Sequence, residues 1–118
     1  MLADPRVRIL VADHDGELLG HTTFGTSRDE DVDPDVGEVR SLFVSPVAWR
    51  RGVGRGLMAG ALIGLPELGF AEATVWSFDA NGRANAFYEA HGFVRDGAEV
   101  REAVWADILQ VRYRRSLA

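Results

Sequence analysis

The stretch from Leu42 to Leu57, Leu-Phe-Val-Ser-Pro-Val-Ala-Trp-Arg-Arg-Gly-Val-Gly-Arg-Gly-Leu, constrains the fold more than any other. A branched apolar run stops at Pro46 and passes through a loop of glycine and arginine. It then continues with apolar residues at Leu57, Met58, Ala61, Leu62 and Leu65, a spacing of about 3.6. That pattern is a strand turning directly into a helix. Such a turn aims successive backbone N–H groups at one point, and the helix dipole adds partial positive charge there. Gly52 and Gly54 clear side chains from the approach. Arg50, Arg51 and Arg55 add positive charge to a chain whose formal net charge is −5. The expected occupant is an anion, above all a pyrophosphate, held by the N–H groups from Arg50 through Gly52, Val53 and Gly54 to Arg55.

Which anion is narrowed by what is absent. All 13 basic residues are arginine, so the lysine of a Walker loop and a Schiff-base lysine are both excluded. A dinucleotide fingerprint needs Gly-x-Gly-x-x-Gly, and Leu57 stands where its third glycine belongs. With no cysteine, thiol nucleophiles, disulfides and zinc ribbons are excluded too. The net negative charge argues against nucleic acid or an anionic membrane as partner. The longest apolar run, Leu57 to Leu65, is too short to span a bilayer, and the polar first residues do not read as a signal peptide. The default expectation is a soluble cytoplasmic protein.

The rest of the chain supplies a frame for this turn. Val7 to Asp13 and Glu17 to Thr26 read as a hairpin about Asp15-Gly16. An acidic loop, Ser27 to Val36, carries Asp29, Glu30, Asp31, Asp33 and Asp35; its expected role is a solvated surface, the alternative being attraction of a cationic acceptor such as a polyamine or basic peptide. It is not a calcium loop, because Val36 and Leu42 stand where an EF-hand needs glycine and glutamate. Gly37 to Val44 is the strand entering the turn, and Pro66 with Gly69 should end the helix that leaves it. Ala71 to Phe78 is a further strand. A second helix follows Asn81 and ends at Gly92, with Ala84, Phe87, Tyr88 and His91 on one face. Phe93 to Asp96 and Ile108 to Arg114 close the chain as strands. Hairpins combined with strand–helix–strand crossovers imply one α+β domain over residues 1–118, a mixed sheet of about six strands with two main helices. His14, His21 and His91 have no metal-ligand spacing, so no metal is expected. Trp76 and Trp105 are expected in the core or on the sheet face.

Two runs in this order resemble the GNAT superfamily of N-acyltransferases. The family's acyl-CoA signature, Arg/Gln-x-x-Gly-x-Gly/Ala, follows a strand and a Val-x-Pro. Here Val44-Ser45-Pro46 precedes Trp49-x-x-Gly52-x-Gly54, with Trp49 departing from the family's Arg or Gln. The shifted frame Arg51-x-x-Gly54-x-Gly56 also fits the letters, but lies at the wrong distance from Pro46. The second run, Asn81-Gly-Arg-Ala84-Asn-Ala-Phe87-Tyr88-Glu-Ala-His-Gly92-Phe93, is similar to the family's Asn-x-x-Ala-x-x-Phe-Tyr-x-x-x-Gly-Phe. The likeness extends from Val7 to Arg114.

The resemblance implies a GNAT-like fold and transfer of an acetyl group from acetyl-CoA to an amine, with no metal. It implies that the backbone of Leu42, Phe43 and Val44 pairs with the pantetheine arm, and that an N–H near Phe43 or Val44 faces the thioester oxygen. Tyr88 becomes the candidate general acid for the leaving thiolate, the alternative being a core aromatic. Asn81 becomes a candidate contact of the pantetheine arm as well as a helix cap. Glu38 becomes the candidate general base, the alternative being a solvent-facing strand end. The family places a strand and two helices ahead of the hairpin, and only about six residues precede it here. A shortened domain with an exposed strand edge is the expectation, and with it a homodimer. Two functions remain open: an N-acetyltransferase for a small amine or peptide amine, and a non-catalytic acyl-CoA-binding module.

Overall fold

A computed structural model of the chain describes residues 4–118. Its element order is β1 (Val7–His14), β2 (Glu17–Thr26), β3 (Val36–Val44), α1 (Val53–Glu67), β4 (Glu72–Phe78), α2 (Gly82–Ala90), β5 (Val94–Arg101) and β6 (Leu109–Ser116). Single 3-10 turns at Pro46–Ala48 and Ala103–Trp105 interrupt the connections. The strands form one sheet in the order β1-β2-β3-β4-β6-β5. Among the described strands only β3 and β4 pair in parallel, joined by α1 as the crossover. The expected six-stranded mixed sheet with two helices is what the chain forms.

Both helices lie on one face of that sheet. Leu57, Met58, Ala61 and Leu65 of α1 are buried, and the last three pack with Phe24 of β2 and Val39 of β3. Gly64 lets α1 come down on the Phe24 ring, which a β-carbon there would meet at 2.6 Å. Tyr113 and Phe93 fill the space under α2. Asn85, buried in the middle of α2, contacts the Ser77 hydroxyl at 2.6 Å and donates to the carbonyl of Asp79 at 3.0 Å. Those bonds fix α2 against the end of β4.

One local expectation changes. Pro66 does not stop α1, which runs on to Glu67. The proline is exposed and falls in the last turn, so the helix forgoes one hydrogen bond there. The Leu68 N–H still reaches the Gly64 carbonyl at 3.1 Å, and Gly69, at φ 98°, turns the chain away.

The parallel contact of β3 with β4 is short. It joins Val36, Gly37 and Glu38 to Glu72, Ala73 and Thr74 and goes no further. Beyond it β3 bulges, with its register against β2 shifting between Thr23 and Phe24. From Val39 onward β3 and β4 diverge, leaving two unpaired edges across a gap.

Candidate active site

A cavity of about 820 Å³ opens at the mouth of that gap, on the helix side. Its walls are the end of β3 (Leu42, Phe43, Val44), the start of α1 and one face of α2. The α1 wall is made of backbone. Among the described residues the N–H groups of Arg50 to Arg55 donate to no backbone acceptor; Gly56 is the first to do so, to the Gly52 carbonyl at 2.9 Å. Gly52 caps the helix at φ 80°, a left-handed geometry that suits glycine. Arg50 holds a similar geometry, φ 65°, without that excuse, so some strain sits at the cavity mouth. At Gly54 the walls come together: a β-carbon would stand 3.4 Å from Val44 and 3.7 Å from Phe87.

The β3 wall offers an open edge. The Ser45 N–H donates to Leu19 of β2 at 2.8 Å, and the Ser41 carbonyl accepts from Thr22 of β2 at 2.8 Å. In an extended strand alternate residues turn their N–H and C=O to opposite edges. Ser41, Phe43 and Ser45 therefore face β2, while Leu42 and Val44 face the gap. The Val44 carbonyl is taken by the Trp49 indole N–H at 2.9 Å. Its N–H, with that of Leu42, remains directed into the cavity. Of the two residues named from sequence, Val44 is thus the one with its donor turned inward.

The charge around this mouth is uncompensated. Arg50, Arg55 and Arg83 line it, and Arg51 adjoins them. Among the described residues these side chains make no ion pair or hydrogen bond, whereas every other arginine makes at least one. Arg83 lies 4.3 Å above the Trp49 ring, tying the start of α2 to the loop before α1. Nothing in the sequence reading pointed to Arg83.

Tyr88 lines the same cavity from α2. Burial pushes its hydroxyl above the ordinary tyrosine range, so it stays protonated through neutral pH. The neighbouring Tyr113 ring is 6.0 Å away, but its hydroxyl is engaged, donating to Glu89 at 2.8 Å and accepting from Arg95 at 3.2 Å. The Tyr88 hydroxyl has no such partner. No sealed side-chain polar atom lacks a partner among the described residues, so this hydroxyl is open to the cavity. Asn81 also lines the cavity while capping α2, its Oδ1 accepting from the Ala84 N–H at 3.1 Å.

Glu38 lies elsewhere. It is 2% exposed at the last paired position before the gap, and lines a second cavity of about 650 Å³ with Trp76 and Trp105. Its two carboxylate oxygens accept from Arg28: the backbone N–H at 2.9 Å and Nη2 at 3.0 Å. Trp105 is half exposed on the turn between β5 and β6, so of the two tryptophans only Trp76 sits on the sheet. The acidic loop is not simply solvated either. Asp29 accepts from the Trp76 indole at 2.9 Å and from Arg112 at 3.1 Å, and Asp31 takes Arg112 in a two-pronged pair at 2.7 and 3.0 Å. Arg112, 4% exposed, also donates to Asp96 at 2.6 Å. A buried arginine ringed by carboxylates thus straps the loop to the sheet. The hydrogen bonds that Asp31 accepts from Arg112 hold its carboxyl below its ordinary range, with the charge attraction adding to them.

Comparison with known proteins gives this geometry its relatives. The sequence model of the acetyltransferase (GNAT) family matches residues 1–93. The chain belongs to the GNAT family. It is 34% identical over 95 residues to mycothiol acetyltransferase of Sanguibacter keddieii, covering 80% of this chain and 30% of that one. It is 31% identical over 96 residues to an uncharacterized N-acetyltransferase of Mycobacterium bovis, covering 81% of this chain and 58% of that one. The chain therefore spans about a third to just over half of these curated relatives. Among solved structures it shares a fold with the ribosomal-protein-S18-alanine N-acetyltransferase of Escherichia coli, with a TM-score of 0.79 at 18% identity. That match covers 98% of this chain and 72% of the other. A Bacillus subtilis acetyltransferase solved with CoA gives a TM-score of 0.80 at 18% identity, covering 96% and 78%.

In GNAT terms, the frame starting at Trp49 puts Gly52 at a left-handed φ of 80° and Gly54 where a β-carbon would just touch Val44, at 3.4 Å. Gly56, the last glycine of the shifted frame, is exposed, and a β-carbon there would meet nothing within 4 Å. Trp49 serves the site by its bond to Val44 and its stack with Arg83, so an aromatic in place of the signature's Arg or Gln has a physical role here.

Proposed function

We propose that the chain is an acyltransferase that moves the acetyl group of acetyl-CoA to a primary amine of a small molecule or peptide. The observation that carries the reading is the first cavity: a row of free N–H groups at one end, an open strand edge along one wall, and the Tyr88 hydroxyl opposite. Three phosphates on one ligand suit the unpaired Arg50, Arg51, Arg55 and Arg83. The pantetheine amides suit the open edge of Leu42 to Val44, added as a strand would be. Phe43 covers the slot and Asn81 bonds the arm.

The proton bookkeeping follows from the two faces of the sheet. A neutral amine enters from the side of Glu38, which takes its surplus proton directly or through water. The amine nitrogen bonds to the thioester carbon, and the Val44 N–H stabilises the oxygen that gains charge. As the carbon–sulfur bond breaks, Tyr88 gives its proton to the departing thiolate. A thiol has an ordinary pKa near 8.5, so a tyrosine held above its usual range remains loaded for the transfer at neutral pH.

The edge strand β1 exposes Ile9 and Val11. We assign it to contact with a second copy, in a cytoplasmic homodimer; sedimentation as a monomer would overturn that assignment.

Thermal unfolding with acetyl-CoA, against ATP and NAD as controls, tests the reading. A ligand at a hundredfold excess over its Kd stabilises by about 2.7 kcal/mol. Stabilisation by acetyl-CoA alone, followed by turnover with an amine, is the expected result. Absence of a shift in folded protein would sink the cofactor site; a shift with no turnover on any amine would favour a binding module.

A further inference from the structure

The second cavity carries charges that the reaction above does not use. Arg40 is half-buried on its β3 wall. Among the described residues its guanidinium bonds only to a neutral group, the Thr26 carbonyl, through Nε at 3.0 Å and Nη2 at 2.7 Å. A guanidinium has five N–H donors, so three remain without an acceptor. The exposed Asp4 lies within its field but not within ion-pair distance. Neighbouring Arg28 is neutralised by Glu38 at 3.0 Å, and Arg112 by its three aspartates. Arg40 is thus a partly desolvated cation that makes no ion pair among the described residues, with Asp4 acting on it only at longer range, and such a group favours an incoming anion.

The rest of the cavity selects the body of the ligand. The Trp76 indole N–H is held by Asp29, so what the ring offers the cavity is apolar surface. Phe78 and Trp105 meet edge to face, with centroids 5.8 Å apart at 74°. Trp105 is held out, 53% exposed, by a turn in which Ala106 and Asp107 both adopt left-handed φ, 55° and 58°. Two consecutive non-glycine residues in that region are costly, and such strain gathers at ligand-binding turns. Glu38 marks the closed end, where β3 and β4 still pair and the gap begins. On the other side Glu102 accepts from Gln110 through Oε1 only.

We infer that the acceptor is a free amino acid with an aromatic or large aliphatic side chain, a zwitterion in solution that gives one ammonium proton to water before it binds with its amine neutral. Its carboxylate pairs with Arg40, its side chain rests against Trp76, Phe78 and Trp105, and its amine lies by Glu38 at the opening between β3 and β4. This inference rests on the proposed acetyl transfer and narrows it to one substrate class. The bonds made and broken are those already given: nitrogen to acetyl carbon, carbon from sulfur, with the amine proton leaving through Glu38.

The test uses the purified chain and three matched series: L-tryptophan, L-phenylalanine and L-leucine; their carboxamides; and the amines left when their carboxyl groups are removed. Released CoA is read with a thiol-reactive chromophore, which meets no cysteine in the protein. Binding of acetyl-CoA is measured first and separately, so that failure there overturns the transferase reading rather than this one. With binding in place, kcat/KM for the amino acids should exceed that for both other series at least tenfold. The carboxamides have less basic amines and hold more free base at neutral pH, so amine reactivity alone would favour them. Arg40→Gln should shrink the preference below threefold, and Arg40→Lys should restore part of it. Equal use of all three series, preference for the carboxamides, or no acetylation of any series by protein that binds acetyl-CoA would each overturn the inference. The comparison in unmodified protein stands even if Arg40→Gln does not fold.

Discussion

The two cavities flank one gap in one sheet, yet they are built by different means. The first is made of backbone: N–H groups freed at a helix start, an unpaired strand edge, and glycines that leave the approach to those groups clear. The second is made of side chains from distant parts of the chain, set by ion pairs. A backbone site is rigid because the secondary structure is rigid, and it recognises any ligand of the right charge and shape. A side-chain site can change its chemistry without disturbing the sheet. The arrangement suits a fold that keeps one substrate fixed and lets the other vary.

That contrast can be broken by substitution on either side. Gly54→Glu places a carboxylate among the N–H groups, where its β-carbon still fits. Like charges brought together cost several kcal/mol, so acetyl-CoA should bind roughly a thousandfold more weakly, a loss of about 4 kcal/mol. Titration calorimetry would show it, and unchanged affinity would place the phosphates elsewhere. Arg112→Met acts on the other side. It strands Asp29 and Asp31 without their cation, leaves Asp96 only Arg114 at 4.0 Å, and should lower stability by about 3 kcal/mol in urea unfolding. Acetyl-CoA affinity should stay as it was; a parallel fall would mean that the two cavities are not independent.

The same variant has a pH signature. In the native chain the Asp31 and Glu72 carboxyls are held low by Arg112 and Arg114 respectively. A depressed carboxyl contributes stability above its unfolded pKa of about 4, and that contribution is lost as pH falls through the folded value. Stability should therefore drop below about pH 4, and less steeply in Arg112→Met, which has already lost the Asp31 share. Tyr88→Phe sharpens the comparison from within the first cavity. It should leave acetyl-CoA binding intact and lower kcat about a hundredfold, as removal of a general acid does. A change in KM with kcat preserved would make Tyr88 a packing residue. The smallest effect is expected from Asn81→Ala, about 1 kcal/mol of stability from the lost cap, with any further loss in KM reporting the pantetheine contact.

How much was readable in advance follows the same division. The turn from β3 into α1 left a pattern because its needs are steric and local: Pro46, Gly52 and Gly54 fall within one short run. The Asn81 to Phe93 run was legible for the same reason, since cap, helix face and closing glycine lie in fixed succession. The strap was not. Arg112 meets Asp31 and Asp29 across 81 and 83 residues, and no spacing rule connects them. An acidic loop read alone looks solvated, because its cation lies on the last strand. Glu38 was singled out by its strand position, but its Arg28 partner, ten residues earlier on a loop, was not. Arg83 was hidden inside a recognised motif, at a position the pattern leaves free.

The arginine ring about the first cavity has a chemical consequence of its own. Acetyl-CoA is an acylating agent, and a lysine held at its mouth would sooner or later be consumed, with loss of its charge. A guanidinium keeps its proton at any physiological pH and does not attack a thioester. With no lysine anywhere in the chain, the side chains that would draw in the reagent are ones it cannot modify.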